Sequence, residues 1–264
     1  MLEVLDGQAE SVKSQLAEQG YCIVKNVIDV KRIESMRTFW LRTMKQENVS
    51  KRFVSGNLVL GENNFLSYSR VKDSCLYRNF DFLWNVQSHD QTTELCIEIH
   101  RFRNRIQDLD ENYGLRYNRD NYGIYISTSL YPPGEGMLAV HRDSHDAVPI
   151  IHFMVPMTFK NRDYEQGGLT IKDKSGKMVD IDSYCAPGDL IFFDGICEHG
   201  VDTIRGGICG RLAVFAIPTY FKRDAKSQVA LRSAKILSTE ITEKLPFVGP
   251  GLLASLRAFR RVWR

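Results

Sequence analysis

Between residues 122 and 218 the chain breaks into eight short runs rich in β-branched and aromatic residues, at 122–131, 137–142, 148–157, 168–172, 177–182, 189–194, 199–204 and 210–218. Turn-forming residues separate them, among them Pro132-Pro133-Gly134, Gln166-Gly167-Gly168, Lys174-Ser175-Gly176, Pro187-Gly188 and Gly206-Gly207. No other feature constrains the fold as much. A parallel, doubly wound sheet needs a helix between successive strands, and these gaps show no helical pattern. Short antiparallel strands at near-regular spacing suit a double-sheet jelly roll instead. The fold expected is mainly β with flanking helices (α+β), built on a double-stranded β-helix core.

The flanks read differently. Val12 and Leu16 mark a short helix that Gly20 can close in the left-handed conformation, and Tyr21-Cys22-Ile23-Val24 follows as a strand. Asp29 is placed to cap a helix on which Ile33, Met36, Trp40 and Met44 recur at three- and four-residue steps. Residues 50–90 carry many Asn, Ser, Asp and Arg with no sustained period and read as long loops. Leu95, Ile99, Phe102, Ile106 and Leu109 then form the clearest apolar stripe in the chain. Beyond residue 223 the pattern is helical again, with Leu252, Leu256, Phe259 and Trp263 on one face and Arg257, Arg260, Arg261 and Arg264 mostly elsewhere. A helix packed on the domain with a solvated basic face is preferred there over a membrane-surface helix. We read 1–264 as a single domain: mostly helical support and lid loops over 1–120, the jelly roll over 121–222, and C-terminal helices over 223–264.

Composition narrows the class of partner. Lys and Arg total 35 against 32 Asp and Glu, a net charge of +3, and no basic stripe is interleaved with aromatics, so no nucleic-acid partner is expected. No apolar run approaches the ~20 residues of a membrane span. The opening MLEVLDGQAESVKS has neither the basic start nor the apolar stretch of a signal peptide. Six cysteines show no Cys-x-x-Cys pair and read as reduced, mostly buried thiols. The expectation is a soluble cytoplasmic protein with a small-molecule substrate and room for a homodimer.

The β-rich segment holds His141-Arg142-Asp143 and, near its far end, His199. Two imidazoles and a carboxylate on a rigid sheet make a facial triad, which leaves open positions on a ferrous ion. Residues i and i+2 of a strand share a face, so His141 and Asp143 can grip one ion together. His199 must then come from a strand that is distant in sequence and adjacent in space. Taken alone, His-x-Asp is a weak motif. Its context is Arg211, twelve residues after His199 and opening the last strand. An arginine aimed into a barrel is a costly buried charge without an anion, and a dicarboxylate cosubstrate is one that fits a bidentate fork.

These residues carry a resemblance. His141-x-Asp143, His199-Gly200-Val201 and Gly210-Arg211, set on eight predicted strands, resemble the iron(II)/2-oxoglutarate-dependent dioxygenases, and within them the phytanoyl-CoA dioxygenase-like branch. Supporting segments are Gly20-Tyr21-Cys22-Ile23-Val24-Lys25-Asn26, Gly167-Gly168-Leu169 and the run from Pro187-Gly188-Asp189 to Gly195. The likeness is dense over 121–220 and thin elsewhere. It implies that His141, Asp143 and His199 hold Fe(II), that 2-oxoglutarate chelates the ion, and that Arg211 receives its distal carboxylate. With O2, the products would be succinate, CO2 and an oxidised substrate. Related halogenases replace the triad carboxylate with a small residue. Asp143 is retained here, so oxygen insertion is the default outcome, with desaturation, ring closure and demethylation open.

Other candidates follow from strand parity. Tyr125, Ser127, Ser129 and Tyr131 share one face of the first core strand, and Tyr131 is the candidate hydroxyl for the cosubstrate. Ala213 stands where some relatives carry a serine. His145 shares parity with His141 and Asp143 and is a candidate substrate contact, if Ser144-His145-Asp146 is not a turn. The stretch from Asn63 to Arg78 offers Tyr68, Arg70 and Arg78. Tyr68 and Arg70 are carried as substrate candidates, with Arg162 as another clamp for a carboxylate. His100 is placed at the flank of its helix, and His152 is read as a strand residue without a role. Two alternatives stand beside the oxygenase: a cupin-like metalloprotein that does not use 2-oxoglutarate, and a noncatalytic jelly-roll binding module.

Overall fold

The computed structural model describes residues 5–49, 64–83, 85–116, 122–143 and 151–220. The expected C-terminal helices and His145 lie outside the described residues. Helix α1 (Ala9–Gln19) ends at Gly20, whose φ of 84° is the left-handed cap, with its N–H bonded to the Leu16 carbonyl. Strand β1 (Tyr21–Val24) follows. Helix α2 (Val30–Thr43) starts at Asp29, whose carboxylate accepts the Lys31 N–H. Ile33, Met36 and Trp40 of α2 meet Leu95, Ile99 and Phe102 of helix α3 (Asp90–Ile106) in one core, and Leu109 falls past the end of α3. The Trp40 indole N–H donates to Thr92 Oγ1 at 2.9 Å.

All eight predicted runs contain strands: β4 (Tyr122–Tyr131), β5 (Met137–His141), β6 (Ile151–Pro156), β7 (Gln166–Lys172), β8 (Met178–Asp180), β9 (Leu190–Asp194), β10 (His199–Arg205) and β11 (Arg211–Tyr220). One expectation fails in the first third of the chain. Residues 65–82 form a hairpin of β2 (Phe65–Val71) and β3 (Ser74–Phe82) rather than a long loop, so strands as well as helices build this third. Cross-strand aromatic pairs hold it together, Phe65 on Phe80 at 4.5 Å and Tyr68 on Tyr77 at 4.4 Å between ring centroids.

The strands run in the order β1-β9-β6-β11-β4-β3 and turn over to β5-β10-β7-β8, every pair antiparallel. Consecutive strands β4 and β5, β6 and β7, and β9 and β10 fall in opposite halves of that order, which is the winding of a double-stranded β-helix. Parity decides what each strand offers. Ile124, Ile126, Phe192, Leu212 and Val214 face the helices, while Met154, Ile191, Phe193 and Ala213 face Leu169, Ile171 and Ile181 of the opposite half. The helices therefore cover one sheet, and the space between the two halves is left for the site.

His100 is not at the flank of its helix but fully buried on it, a correction with consequences for stability. Its Nε2 meets the Tyr113 carbonyl at 2.6 Å, and its Nδ1 accepts from the Arg103 guanidinium. Burial first, and then the charge of Arg103, push its pKa from the ordinary value down to about 2. The folded protein therefore refuses a proton that the unfolded chain accepts below pH ~6.5, so stability is present above that pH and is lost as the pH falls. From pH 7.5 to 5.5, His100 alone is expected to remove about 1.4 kcal/mol of unfolding free energy. Urea unfolding at the two pH values checks this. A His100→Asn protein should lose that part of the slope, and an unchanged slope would show that His100 takes up a proton within the fold.

Candidate active site

The antiparallel pairing of β5 with β10 sets His141 directly opposite His199, with ring centroids 4.4 Å apart. Strands distant in sequence have become neighbours, as the motif requires. The glycine after His199 matters for this. A Cβ at Gly200 would sit 2.9 Å from the Leu138 carbonyl oxygen and 3.0 Å from Val140 Cα, so the close approach of β10 to β5 excludes a larger residue. Asp143 lies two residues beyond His141, just past the end of β5, where its N–H bonds the Gly195 carbonyl at 2.9 Å.

His141, Asp143 and His199 each present one ligand atom, and these atoms lie within 4.8 Å of one another. Asp143 Oδ1 is 3.7 Å from His141 Nε2, and its Oδ2 is 3.4 Å from His199 Nε2. The remaining ring nitrogens fix the tautomers. His141 Nδ1 pairs with the Ala139 carbonyl at 2.9 Å and His199 Nδ1 with the Cys197 carbonyl at 2.9 Å. A carbonyl can only accept, so each Nδ1 carries a proton, and each Nε2 is the ring nitrogen left facing the shared centre. Two imidazoles and one carboxylate converging on one point are the donor set of a ferrous facial triad.

A third histidine was missed from sequence. His152 on β6 is buried and faces inward beside Met154, with Nε2 3.0 Å from Asp143 Oδ2 but not aligned as a directed hydrogen bond. Burial would raise the Asp143 carboxyl, but its contacts with His152 and then His199 outweigh that and hold it well below the usual carboxylate range. His152 itself is held below the ordinary histidine range, chiefly by burial.

A cavity of about 190 Å³ opens onto the triad. Its walls include Tyr125, Tyr131, Met154, Phe193, Phe215 and Arg78. Tyr131 is thus placed where the parity argument put it. Burial pushes the Tyr125 hydroxyl up to about 12, so it remains a donor. Arg211 lies immediately behind the wall, its Nη2 3.1 Å from Met154 Sδ and its guanidinium carbon 5.8 Å from the Tyr131 ring centre.

Sequence gave no sign that Arg211 has an anion of its own. Asp182, in a short 3-10 turn after β8, takes Nε at 2.5 Å and Nη2 at 3.1 Å. The Tyr164 hydroxyl and the Leu169 N–H also donate to Asp182, at 2.6 and 2.9 Å. Burial opposes both charges, yet the pair holds the Asp182 carboxyl below and the Arg211 guanidinium above their ordinary values. One guanidinium nitrogen, Nη1, is buried with no hydrogen-bond partner. That orphaned donor, behind Tyr131 on the wall, is left to meet a carboxylate oxygen.

Other candidates are not brought to the cavity. Arg70 is 69% exposed and paired with Glu135 at 2.8 Å, and the Tyr68 hydroxyl donates to the same Glu135 at 3.1 Å. Neither lines the cavity, because alternate residues of the hairpin point away from it. Arg162 pairs with Glu34 at 2.8 Å.

Fold and site together define a double-stranded β-helix with a His-x-Asp…His centre. No protein-family model and no curated protein matches the chain. Among solved structures it is similar to a prolyl-4-hydroxylase from Pseudomonas putida, at 15% identity over 79% of this chain and 97% of that one, TM-score 0.54. It is also similar to AviO1 from Streptomyces viridochromogenes Tue57, at 11% identity, 79% and 93% coverage, TM-score 0.53. A third is SnoN, described as a non-heme alpha ketoglutarate dependent epimerase from nogalamycin biosynthesis, at 14% identity, 81% and 83% coverage, TM-score 0.50. The chain shares the fold of these solved structures.

Proposed function

We propose that the chain is an iron(II)- and 2-oxoglutarate-dependent oxygenase that hydroxylates or otherwise oxidises a small molecule, with release of succinate and CO2. The observation that carries this is the triad, with two Nε2 atoms and a carboxylate converging at the floor of a cavity. His141, Asp143 and His199 would hold the iron, and 2-oxoglutarate with O2 would supply the oxidising power there. The protein's own residues position and exclude. The Ala139 and Cys197 carbonyls keep the two imidazoles in register, and Asp143 is the single anion of the set. Arg211 Nη1 and the Tyr131 hydroxyl would anchor the distal carboxylate, while Asp182 keeps the guanidinium from rotating away. Met154, Phe193 and Phe215 give the wall apolar surface on which the hydrocarbon part of a substrate can rest.

For substrate, the likeness to SnoN from nogalamycin biosynthesis favours a natural-product intermediate, with an amino-acid derivative as the nearest alternative. The narrower likeness to the phytanoyl-CoA branch rests on the sequence motifs. No helix among the described residues is long and apolar enough to cross a membrane. The six cysteines are free thiols, which suits a reducing cytoplasm where ferrous iron persists.

A second reading, a cupin-like metalloprotein without 2-oxoglutarate, draws on one observation: Asp182 already neutralises Arg211. Anaerobic titration of the apoprotein with Fe(II) and 2-oxoglutarate separates the two. The oxygenase should develop the weak visible charge-transfer band of the chelated complex, and His199→Ala should lose it. Iron binding without the band would favour the cupin-like reading, and binding of neither would leave a noncatalytic module.

A further inference from the structure

A cation stands on the wall of the cavity itself, apart from Arg211 behind it. Arg78 lies on β3 opposite Ser129 of β4 and lines the same cavity as the triad. Its Nε donates to Ser129 Oγ at 3.3 Å, and its guanidinium lies 5.7 Å from the centre of the Phe215 ring. Those two contacts fix the plane of the group and use one of its donors. Among the described residues, no carboxylate comes within ion-pair distance of Arg78, and its two terminal nitrogens make no hydrogen bond.

The other arginines around the barrel differ. Arg211 is held by Asp182, Arg70 by Glu135 at 2.8 Å, Arg142 by Glu198 at 2.9 Å and Arg162 by Glu34 at 2.8 Å. Arg205 is exposed at the end of β10. A half-buried guanidinium held over an aromatic ring, with both terminal nitrogens free and the cavity in front, is a preorganised anion receptor. Arg211 and Arg78 also stand on different strands. Arg211 pairs with Tyr131 across β11 and β4, whereas Arg78 pairs with Ser129 across β3 and β4. Arg78 on the cavity wall and Arg211 behind it are thus separately located.

We propose that Arg78 forms an anion subsite for the primary substrate, which is therefore a small molecule bearing a carboxylate or comparable acidic group. The inference rests on the oxygenase reading above and adds the chemical class of what is oxidised. The anion at Arg78 fixes one end of the substrate, and the apolar wall of Phe193, Phe215 and Met154 receives its body.

The test uses three acid and amide pairs as probes: phenylacetate and phenylacetamide, hexanoate and hexanamide, and N-acetyl-L-leucine and its amide. Each is titrated anaerobically into the Fe(II)- and 2-oxoglutarate-loaded protein by calorimetry, while the visible band reports the cosubstrate. Wild type should prefer the acid of at least one pair by about tenfold or more, the scale of a charge-assisted hydrogen-bonded pair. Arg78→Gln should erase that preference, Arg78→Lys should keep part of it, and 2-oxoglutarate affinity should stay within about twofold. Three results would overturn the proposal: no acid preference in any pair, a preference that survives Arg78→Gln, or a 2-oxoglutarate affinity that collapses in Arg78→Gln. The last would make Arg78 the cosubstrate anchor. A wild-type protein that prefers the acid yet shows no band would uphold the subsite and sink the oxygenase reading.

Discussion

Asp143→Ala is expected to abolish turnover and to lower Fe(II) affinity by at least about 100-fold, more than the loss of a residue that merely orients a ligand. Asp143 is the single anion of the triad, and the two imidazoles that remain bring no negative charge. The effect should be confined to the site. The side chain is 34% exposed at the end of β5, so its removal opens no large void in the core. Metal binding gives an independent readout. A ligand that binds only the folded state at 100 times its Kd stabilises it by about 2.7 kcal/mol, and this increment should vanish in the variant. Anaerobic iron retention after gel filtration, thermal unfolding with and without Fe(II), and succinate release measure the three quantities. His141→Ala and His199→Ala should behave alike. Full turnover by Asp143→Ala would overturn the assignment of the triad.

The triad was legible in the sequence because its chemistry is partly local. His141 and Asp143 stand two apart, and a chain of eight short strands has few ways to bring them a second imidazole. The placement of Tyr131 on the cavity wall was legible by the same alternation, since β4 keeps Tyr125 and Tyr131 on one face and Ile124 and Ile126 on the other. His152 was hidden because that alternation is absent from β6. Ile151, Phe153 and Val155 face the helices while Met154 faces the barrel, so the strand is apolar on both faces and has no period of two to read. The hairpin of residues 65–82 was hidden differently. Its stability comes from pairs such as Phe65 with Phe80, whose partnership exists only once the register is known. Asp182 was beyond reach for a related reason. It sits in a three-residue turn, 29 residues from Arg211, and no local pattern links a turn carboxylate to the guanidinium it neutralises.

That pair carries the largest stability effect to be expected. Asp182→Ala should destabilise the fold by about 3–5 kcal/mol, the usual cost of removing one partner of a buried ion pair. Arg211 is 2% exposed, and the acceptor for its Nε would be gone, along with the one serving the Tyr164 hydroxyl and the Leu169 N–H. Two further measurements tie the loss to charge and then to function. Adding Arg211→Met to Asp182→Ala should restore much of the stability, because the pair would then be replaced by apolar atoms rather than broken. In Asp182→Ala alone, 2-oxoglutarate should also restore part of it, since a carboxylate reaching Nη1 supplies the missing negative charge. The double variant has no guanidinium and should gain nothing from 2-oxoglutarate. Unfolding curves in urea for the three proteins, with and without the dicarboxylate, decide the matter. If 2-oxoglutarate stabilises wild type but fails to rescue Asp182→Ala, Arg211 is a structural partner of Asp182 only, and the cosubstrate is anchored elsewhere in the cavity.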